Sequence, residues 1–161
     1  MYTADHFIKH LDMTPHVEGG YYKECLLSQD AITSQESDDK LLWSSIYFLL
    51  QTGDVSHFHR LKSDEVWYFH SGAPLTIYMI TPDGECIQKQ LGLDITKGEM
   101  PQVLVPKGYI FGSSQNEEGY ALVGCMVAPA FRFEDFELFS RKELLEHYPQ
   151  HQAIIEKLTR P

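Results

Sequence analysis

The order of apolar and polar residues predicts a chain built mainly of short strands. Residues 41–50, LLWSSIYFLL, form a long apolar run whose aromatic and β-branched residues favour a strand buried on both faces. Further short apolar runs follow at residues 74–80, 85–91, 103–106, 109–113 and 120–127. Thr81-Pro82-Asp83-Gly84 separates two of these runs, and this combination favours the turn of a hairpin. The spacing of runs and turns is typical of an all-β sandwich or barrel.

Helical patterns occur only near the two ends of the chain. Residues 3–12 carry apolar side chains at helical spacing. Residues 141–147 and 151–158 are predicted as two further helices, with Pro149 between them. The polar residues 28–40 have no period, so we predict a surface loop there.

Composition and charge exclude several classes of function. The 161 residues are predicted to form a single domain, residues 1–161, and 43% of them are hydrophobic and 22% charged. The formal net charge of −10 opposes binding to nucleic acid or to an anionic membrane, because both require Lys and Arg to neutralise phosphates. The sequence has no apolar run long enough to span a membrane and no signal-peptide pattern, so we expect a cytoplasmic protein. In that compartment Cys25, Cys86 and Cys125 are expected to be reduced thiols.

The segment 53–72 carries the densest candidate chemistry. His57 and His59 are two residues apart, so both imidazoles would point to one face of a strand. Glu65 begins the next apolar run after a short polar turn, and we predict a hairpin that brings Glu65 beside the two histidines. These three side chains are suitable ligands for a divalent metal ion such as Zn, Ni, Mn or Fe. The alternative is a metal-free pocket in which His59 is the general base and Glu65, or another acid, orients it.

This segment resembles the first motif of the cupin superfamily, which runs glycine, His-x-His, glutamate, glycine. The matching residues here are Gly53, His57, His59, Glu65 and Gly72. Residues 98–111 are similar to the second cupin motif, but Phe111 stands where the superfamily places a histidine ligand. The resemblance therefore implies a weakly held metal at most, and an apolar wall contributed by Phe111.

Four segments extend the resemblance to most of the chain and narrow it to the Cupin_5 or DUF985 family. They are HVEGGYY (16–22), FHRLKSDEVWYFHSG (58–72), VPKGYIFGS (105–113) and VAPAFRFEDFEL (127–138). The resemblance implies a cupin-type double-stranded β-helix, that is, a jelly-roll barrel of about ten strands, with short N- and C-terminal helices. It also implies a homodimer or larger homo-oligomer, and a loose similarity to sugar-nucleotide epimerases.

The similarity to those epimerases implies a histidine base with a tyrosine acid on the opposite side of the substrate. The residues alone do not choose among the candidate tyrosines, which are Tyr47, Tyr68, Tyr109 and Tyr120. Each of them would serve equally well as a core or rim aromatic residue.

Further candidates for substrate binding each have a structural alternative. Glu18 occupies a motif position and is predicted to face the pocket, although Glu18-Gly19-Gly20 also has the composition of a turn. Arg60 is predicted to be solvated or paired, with a grip on an anionic substrate group as the alternative. Trp67 is predicted to be a core residue first and a pocket wall second. Residues 131–139, FRFEDFELF, alternate aromatic and acidic residues, and we predict packing rather than binding for them.

The function predicted from these residues is the binding of a small-molecule ligand in the barrel. The first hypothesis is an isomerase or epimerase that acts on a sugar-like or other small polar metabolite through the histidine base. A non-catalytic binding protein is the alternative, and a metal-dependent oxygenase is a weaker one. One barrel hosts many chemistries, so the fold does not decide among them.

Overall fold

The structure is a computed structural model that describes residues 1–34 and 37–161. Its helices are α1 (Ala4–His10), α2 (Arg141–His147) and α3 (Gln152–Lys157). Its first seven strands are β1 (Thr14–Pro15), β2 (Tyr21–Leu27), β3 (Ala31–Ser34), β4 (Ser37–Leu41), β5 (Ser44–Gln51), β6 (Val55–Arg60) and β7 (Asp64–Gly72). The remaining strands are β8 (Leu75–Ile80), β9 (Cys86–Leu91), β10 (Glu99–Met100), β11 (Gln102–Val105), β12 (Ile110–Gln115), β13 (Tyr120–Ala128) and β14 (Glu137–Leu138).

Two six-stranded sheets enclose the main core. The first has the order β1-β2-β5-β13-β7-β11, and the second has the order β10-β9-β8-β12-β6-β14. All strand pairs within them are antiparallel except the pair of β9 and β10. The core between the sheets combines side chains of both, such as Phe48 and Trp67 of the first with Ile77 and Phe111 of the second. This arrangement confirms the predicted all-β jelly-roll fold.

The terminal helices cover the outer faces of the sheets. Phe7 and Ile8 of α1 pack on Leu49 and Leu122, on the outer side of the first sheet. The C-terminal helices cover the outer side of the second sheet in the same way, through a cluster that includes Phe58, Ile80, Leu144 and Ile155. The strand predicted at residues 41–50 is β5, which covers residues 44–51 and is buried or partly buried on both faces. Residues 41–43 lie outside β5, and Leu42 is 37% exposed, so the prediction of a buried strand is wrong for them. Among the described residues, no helix combines the length and the apolar character needed to cross a membrane.

Two short strands replace part of the predicted surface loop. Residues 31–34 and 37–41 pair as an antiparallel two-stranded sheet, so the prediction of a loop is wrong for residues 31–34 and 37–40. Residues 35–36 of that stretch lie outside the described residues. The loop prediction failed because it relied on apolar periodicity. The backbone groups of polar residues form strand hydrogen bonds as well as those of apolar residues do.

The strands on either side of Leu61–Ser63 do not form the predicted hairpin. β6 pairs with β12 and β14 in the second sheet, while β7 pairs with β11 and β13 in the first. Residues 61–63 therefore cross from one sheet to the other. The chain gains more by burying the inner faces of both strands against each other than by pairing their edges.

The three cysteines are free thiols, as expected. Their environments differ, because Cys25 is exposed, Cys86 is partly buried and Cys125 is buried. Cys125 belongs to the core between the sheets.

Candidate active site between the sheets

A cavity of about 280 Å³ lies between the two sheets, on the inner faces of β2, β5, β6, β7 and β13. Its titratable lining residues include His16, Glu18, His59, Glu65 and Cys125. Its aromatic lining residues are Tyr22, Phe48, Phe131, Phe133 and Phe136. The volume lies near the lower end of the range for small-molecule sites, roughly 300–1,000 Å³, and suits a single small metabolite.

A tight turn that closes against β6 holds Glu18. The Glu18 carbonyl accepts a hydrogen bond from the His57 N–H at 2.6 Å, which fixes the turn on the strand. Gly19 has a φ of +115°, and a side chain there would collide with the Val55 carbonyl. Glycine is required at this position for both reasons. The result is a buried carboxyl aimed into the cavity, as predicted for Glu18.

Both ring nitrogens of His59 have partners. Nδ1 lies 2.7 Å from the His57 carbonyl oxygen, and since a carbonyl only accepts, Nδ1 carries the proton and donates. Nε2 is left with a lone pair and lies 3.1 Å from Glu18 Oε2. The rings of Phe111 and Phe136 pack on the imidazole, with centroids 4.1 and 5.3 Å away. These contacts fix both the tautomer and the orientation of the ring.

A bulge in β6 decides which of its side chains reach Glu18. The pairing with β12 leaves residues 57–58 opposite Gly112 alone. One extra residue changes the alternation of side chains along a strand. Ser56 and His59, three residues apart, therefore both contact Glu18, and the Ser56 hydroxyl donates to Glu18 Oε1 at 3.0 Å.

The same bulge removes His57 from the face that carries His59, so the predicted metal triad is not formed. The ring of His57 bonds through Nδ1 to the Glu18 carbonyl at 2.5 Å and does not line the cavity. In residues 1–34 and 37–161, no group of three or more His, Cys, Asp or Glu side chains is arranged to hold a metal ion. The donor set of His57, His59 and Glu65 thus does not fit the divalent metal that the motif implies.

Burial favours the neutral forms of the Glu18–His59 pair. It raises the pKa of Glu18, an effect that nearby His16 and the Ser56 hydrogen bond only partly offset. It lowers the pKa of His59 to about 4, against the opposing effect of the bond to the His57 carbonyl. Because Nδ1 donates to the His57 carbonyl, the contact between Nε2 and the Glu18 carboxyl needs one shared proton, and burial favours the carboxyl as its holder. Glu18, and not Glu65, is the acid that contacts His59.

Glu65 lines the cavity from β7, in the sheet opposite to His59. Burial is the main cause that raises the pKa of Glu65 to about 8, and the nearby Glu18 carboxyl is the second. The hydrogen bond between Glu65 and Cys125 opposes this shift. Burial also raises the pKa of the Cys125 thiol, so the thiol keeps its proton. At neutral pH the site therefore holds a protonated Glu65 beside a protonated thiol.

His16 and Tyr22 complete the polar side of the cavity, and sequence reasoning did not select either of them. The Glu18 N–H donates to His16 Nδ1 at 3.1 Å, and burial lowers the pKa of His16. The ring of Tyr22 stands edge-on to His16, with centroids 4.5 Å apart. The four tyrosines proposed as acids, Tyr47, Tyr68, Tyr109 and Tyr120, do not line the cavity. Both residues belong to the HVEGGYY motif (16–22), so this motif was the sequence feature that could have identified them.

The segment predicted to serve packing supplies one wall of the cavity. Phe131, Phe133 and Phe136 all line it. The alternation of aromatic and acidic residues indicates that one face of the segment is covered. A segment that packs on a core and a segment that lines a ligand site show this same pattern, so the sequence does not distinguish them.

Two contacts pin this aromatic segment to the strands beneath it. The Phe131 N–H donates to the Ser44 hydroxyl at 2.9 Å. Lys40 Nζ lies 2.7 Å from the Asp135 carboxylate, with 8% and 13% of the two side chains exposed. The wall is therefore held in place rather than left open.

Four predicted substrate-binding residues lie outside the cavity lining. Tyr47 is on the outer face of the first sheet, packed with the cluster under α1. Trp67 is 1% exposed within the core. Phe111 supports the ring of His59 from behind the cavity. Arg60 donates to the Glu137 carboxylate at 2.7 and 3.0 Å, so it is paired, and its partner lies outside its own turn.

A family model described as Cupin superfamily (DUF985) matches residues 5–139. Among solved structures, protein SO0799 from Shewanella oneidensis is 59% identical with a TM-score of 0.94, over 100% of this chain and 99% of that chain. A protein from Leishmania major is 38% identical with a TM-score of 0.94, over 99% of this chain and 100% of that chain. Uncharacterized protein YML079W from Saccharomyces cerevisiae is 24% identical over an alignment of 148 positions, which covers 82% of this chain and 73% of the yeast protein.

Oxalate decarboxylase from Bacillus subtilis shares the fold at greater distance. It is 16% identical with a TM-score of 0.58, and the match covers 89% of this chain but 36% of the decarboxylase. That likeness shows a common fold alone. The family match, in contrast, spans most of the 161 residues and includes the segments that build the cavity. The chain belongs to the cupin superfamily, in the family described as DUF985.

Proposed function

We propose that this protein is an acid–base enzyme, an isomerase or epimerase, that acts on a small polar metabolite in the cavity between its sheets. One observation carries the proposal. Two buried proton-carrying centres line the same cavity: Glu65 on β7 of the first sheet, and Glu18 in contact with His59 on β6 of the second sheet. Such reactions remove a proton at one position and return one at another, so they need two titratable groups around one substrate.

Glu65 is the proposed group that exchanges a proton with the substrate. Its pKa is raised to about 8, mainly by burial, so both its acid and its carboxylate form are accessible near neutral pH. A general acid or base is most effective when its pKa lies near the working pH. This assignment differs from the prediction, in which His59 is the base and Glu65 orients it: here Glu65 contacts the substrate and His59 does not.

The Glu18–His59 pair is the proposed second centre. One proton is shared across the 3.1 Å contact, so Glu18 can give it to the substrate or take it back while His59 Nε2 serves as its partner. His59 then acts as a positioning residue for Glu18. Its bond to the His57 carbonyl keeps Nε2 aimed at the carboxyl throughout.

Hydrogen exchange can test the proposal before the substrate is identified. Purified protein is incubated in deuterium oxide with pools of small hydroxy-carbonyl and amino-carbonyl compounds, and loss of C–H signals is followed by proton NMR. We expect deuterium to enter beside the carbonyl of at least one compound, and E65Q to abolish this exchange. E24Q is the matched control, since Glu24 also lines the cavity but is exposed. Exchange that is absent, or that is equal in the wild type and E65Q, would show that the proposal is wrong.

A non-catalytic binding protein is the second candidate, and one observation favours it. Both ring nitrogens of His59 are engaged within the protein, so the predicted base has no free lone pair for a substrate. This candidate predicts saturable binding of a ligand with no exchange of its C–H groups. The metal-dependent oxygenase has less support, because His57 bonds away from the cavity.

A further inference from the structure

We infer that the ligand of this cavity is a small organic cation, an amine or a quaternary ammonium compound, without a carboxylate or phosphate group. The inference rests on the proposed function insofar as it names the substrate class for the same cavity. Its support comes from the walls of the cavity and the charges around it, and not from the chemistry of proton transfer.

Three phenylalanine rings form a corner of the cavity. The planes of Phe131 and Phe133 meet at 81°, those of Phe131 and Phe136 at 68°, and those of Phe133 and Phe136 at 74°. The centroids of these pairs are 5.0, 6.0 and 6.3 Å apart. All three rings line the cavity. Proteins recognise ammonium groups with several aromatic rings around one volume, because a cation is attracted to the negative face of a ring.

The polar lining of the cavity supplies acidic groups and no permanent cation. Glu18, Glu24 and Glu65 line it, and among the described residues no Lys or Arg does. A bound cation would favour the ionised forms of the two buried carboxyls and would be held by them. An anion would be buried in the cavity without a Lys or Arg side chain of the lining to compensate its charge, at a large cost.

The neighbouring cations already have partners. Lys40, Lys62 and Arg132 all lie within 4.0 Å of the Asp135 carboxylate. Arg60 is bound to Glu137. These cationic side chains are thus directed towards carboxylates that lie outside the cavity lining.

The entrance and the surface favour the same ligand class. Phe133 is 61% exposed, and Glu24 is exposed beside the cavity, so an aromatic face and a carboxylate meet an arriving ligand. The net charge of −10 attracts cations over longer distances. The similarity to sugar-nucleotide epimerases therefore does not extend to their anionic substrates.

Three probes of nearly equal shape separate charge from shape. Choline carries a quaternary nitrogen, 3,3-dimethylbutan-1-ol has carbon in its place, and 3,3-dimethylbutanoate carries a negative charge. Binding is measured by isothermal titration calorimetry and by NMR chemical-shift changes. We expect choline to bind at least about tenfold more tightly than the alcohol, and the carboxylate not to bind. Equal binding of choline and the alcohol, tighter binding of the carboxylate, or no binding of choline overturns the inference.

Variants test whether the aromatic corner provides the selectivity. F133L keeps an apolar side chain but removes the ring, and we expect it to weaken choline binding by about threefold while leaving the alcohol unchanged. Y2L is the matched control, because Tyr2 is 65% exposed and does not line the cavity. An equal loss for choline and the alcohol in F133L contradicts the role of the ring. Circular dichroism establishes that both variants are folded.

The two proposals fail separately. Binding of choline in preference to its neutral analogue, without exchange of C–H groups in any compound tested, refutes the enzyme and retains the ligand class. Exchange in a neutral or anionic compound, without preference for choline, retains the enzyme and refutes the ligand class.

Discussion

Replacing Glu65 by glutamine is expected to flatten the pH dependence of the protein's stability. The pKa of this carboxyl is about 8 in the folded protein, against an ordinary value of 4.5. Between these values the folded state keeps a proton that the unfolded state has lost, so the free energy of unfolding of the wild type falls as pH rises. The fall is about 1.4 kcal/mol per pH unit, or about 4 kcal/mol between roughly pH 5 and pH 8. Glutamine stays neutral throughout and contributes no such slope.

The measurement is urea unfolding of the wild type and E65Q at several pH values, followed by tryptophan fluorescence. The stability of E65Q relative to the wild type should increase steadily from pH 5 to pH 8. E24Q should keep the wild-type slope, because Glu24 is exposed. The Glu18 pKa is raised as well, so some slope in the same direction remains in E65Q. Parallel curves for the wild type and E65Q would refute the argument that Glu65 is buried as a neutral acid.

Three further outcomes are expected. G112A should lower the free energy of unfolding, measured with urea, by about 2 kcal/mol, because the alanine Cβ would lie 2.6 Å from the Ser56 carbonyl oxygen. Unchanged stability would mean that glycine is not required opposite the bulge. K40M should cost about 2 kcal/mol by leaving the nearly buried Asp135 with weaker partners, and unchanged stability in the same assay would show that the ion pair does not hold the aromatic segment. We propose that copies of this chain associate through residues 23–27 of β2, which extend beyond its short partner β1 and include Leu26 with 60% of its surface exposed. Light scattering should show a mass above 18.5 kDa that L26K reduces, and a monomeric wild type would contradict this.

The sequence by itself determined the elements that depend on local pattern. The turn at Thr81–Gly84 joins β8 and β9 as predicted, because proline and glycine set its backbone angles wherever the segment lies. The helix after Ser140 begins there because of a capping box between Ser140 and Glu143, which is also local. The apolar run of β5 predicts a strand that is covered on both faces, although it does not identify the elements that cover it.

The tertiary structure decided which of the chemically capable residues meet. A short polar connection at residues 61–63 is compatible with a hairpin or with a crossing between sheets, and the burial of two inner faces selects the crossing. The bulge opposite Gly112 then turns His57 away and brings Ser56 to Glu18. Neither choice has a local signal, because each depends on strands that are distant in sequence. The same holds for the pKa of Glu65, which is set by the burial that the two sheets produce together.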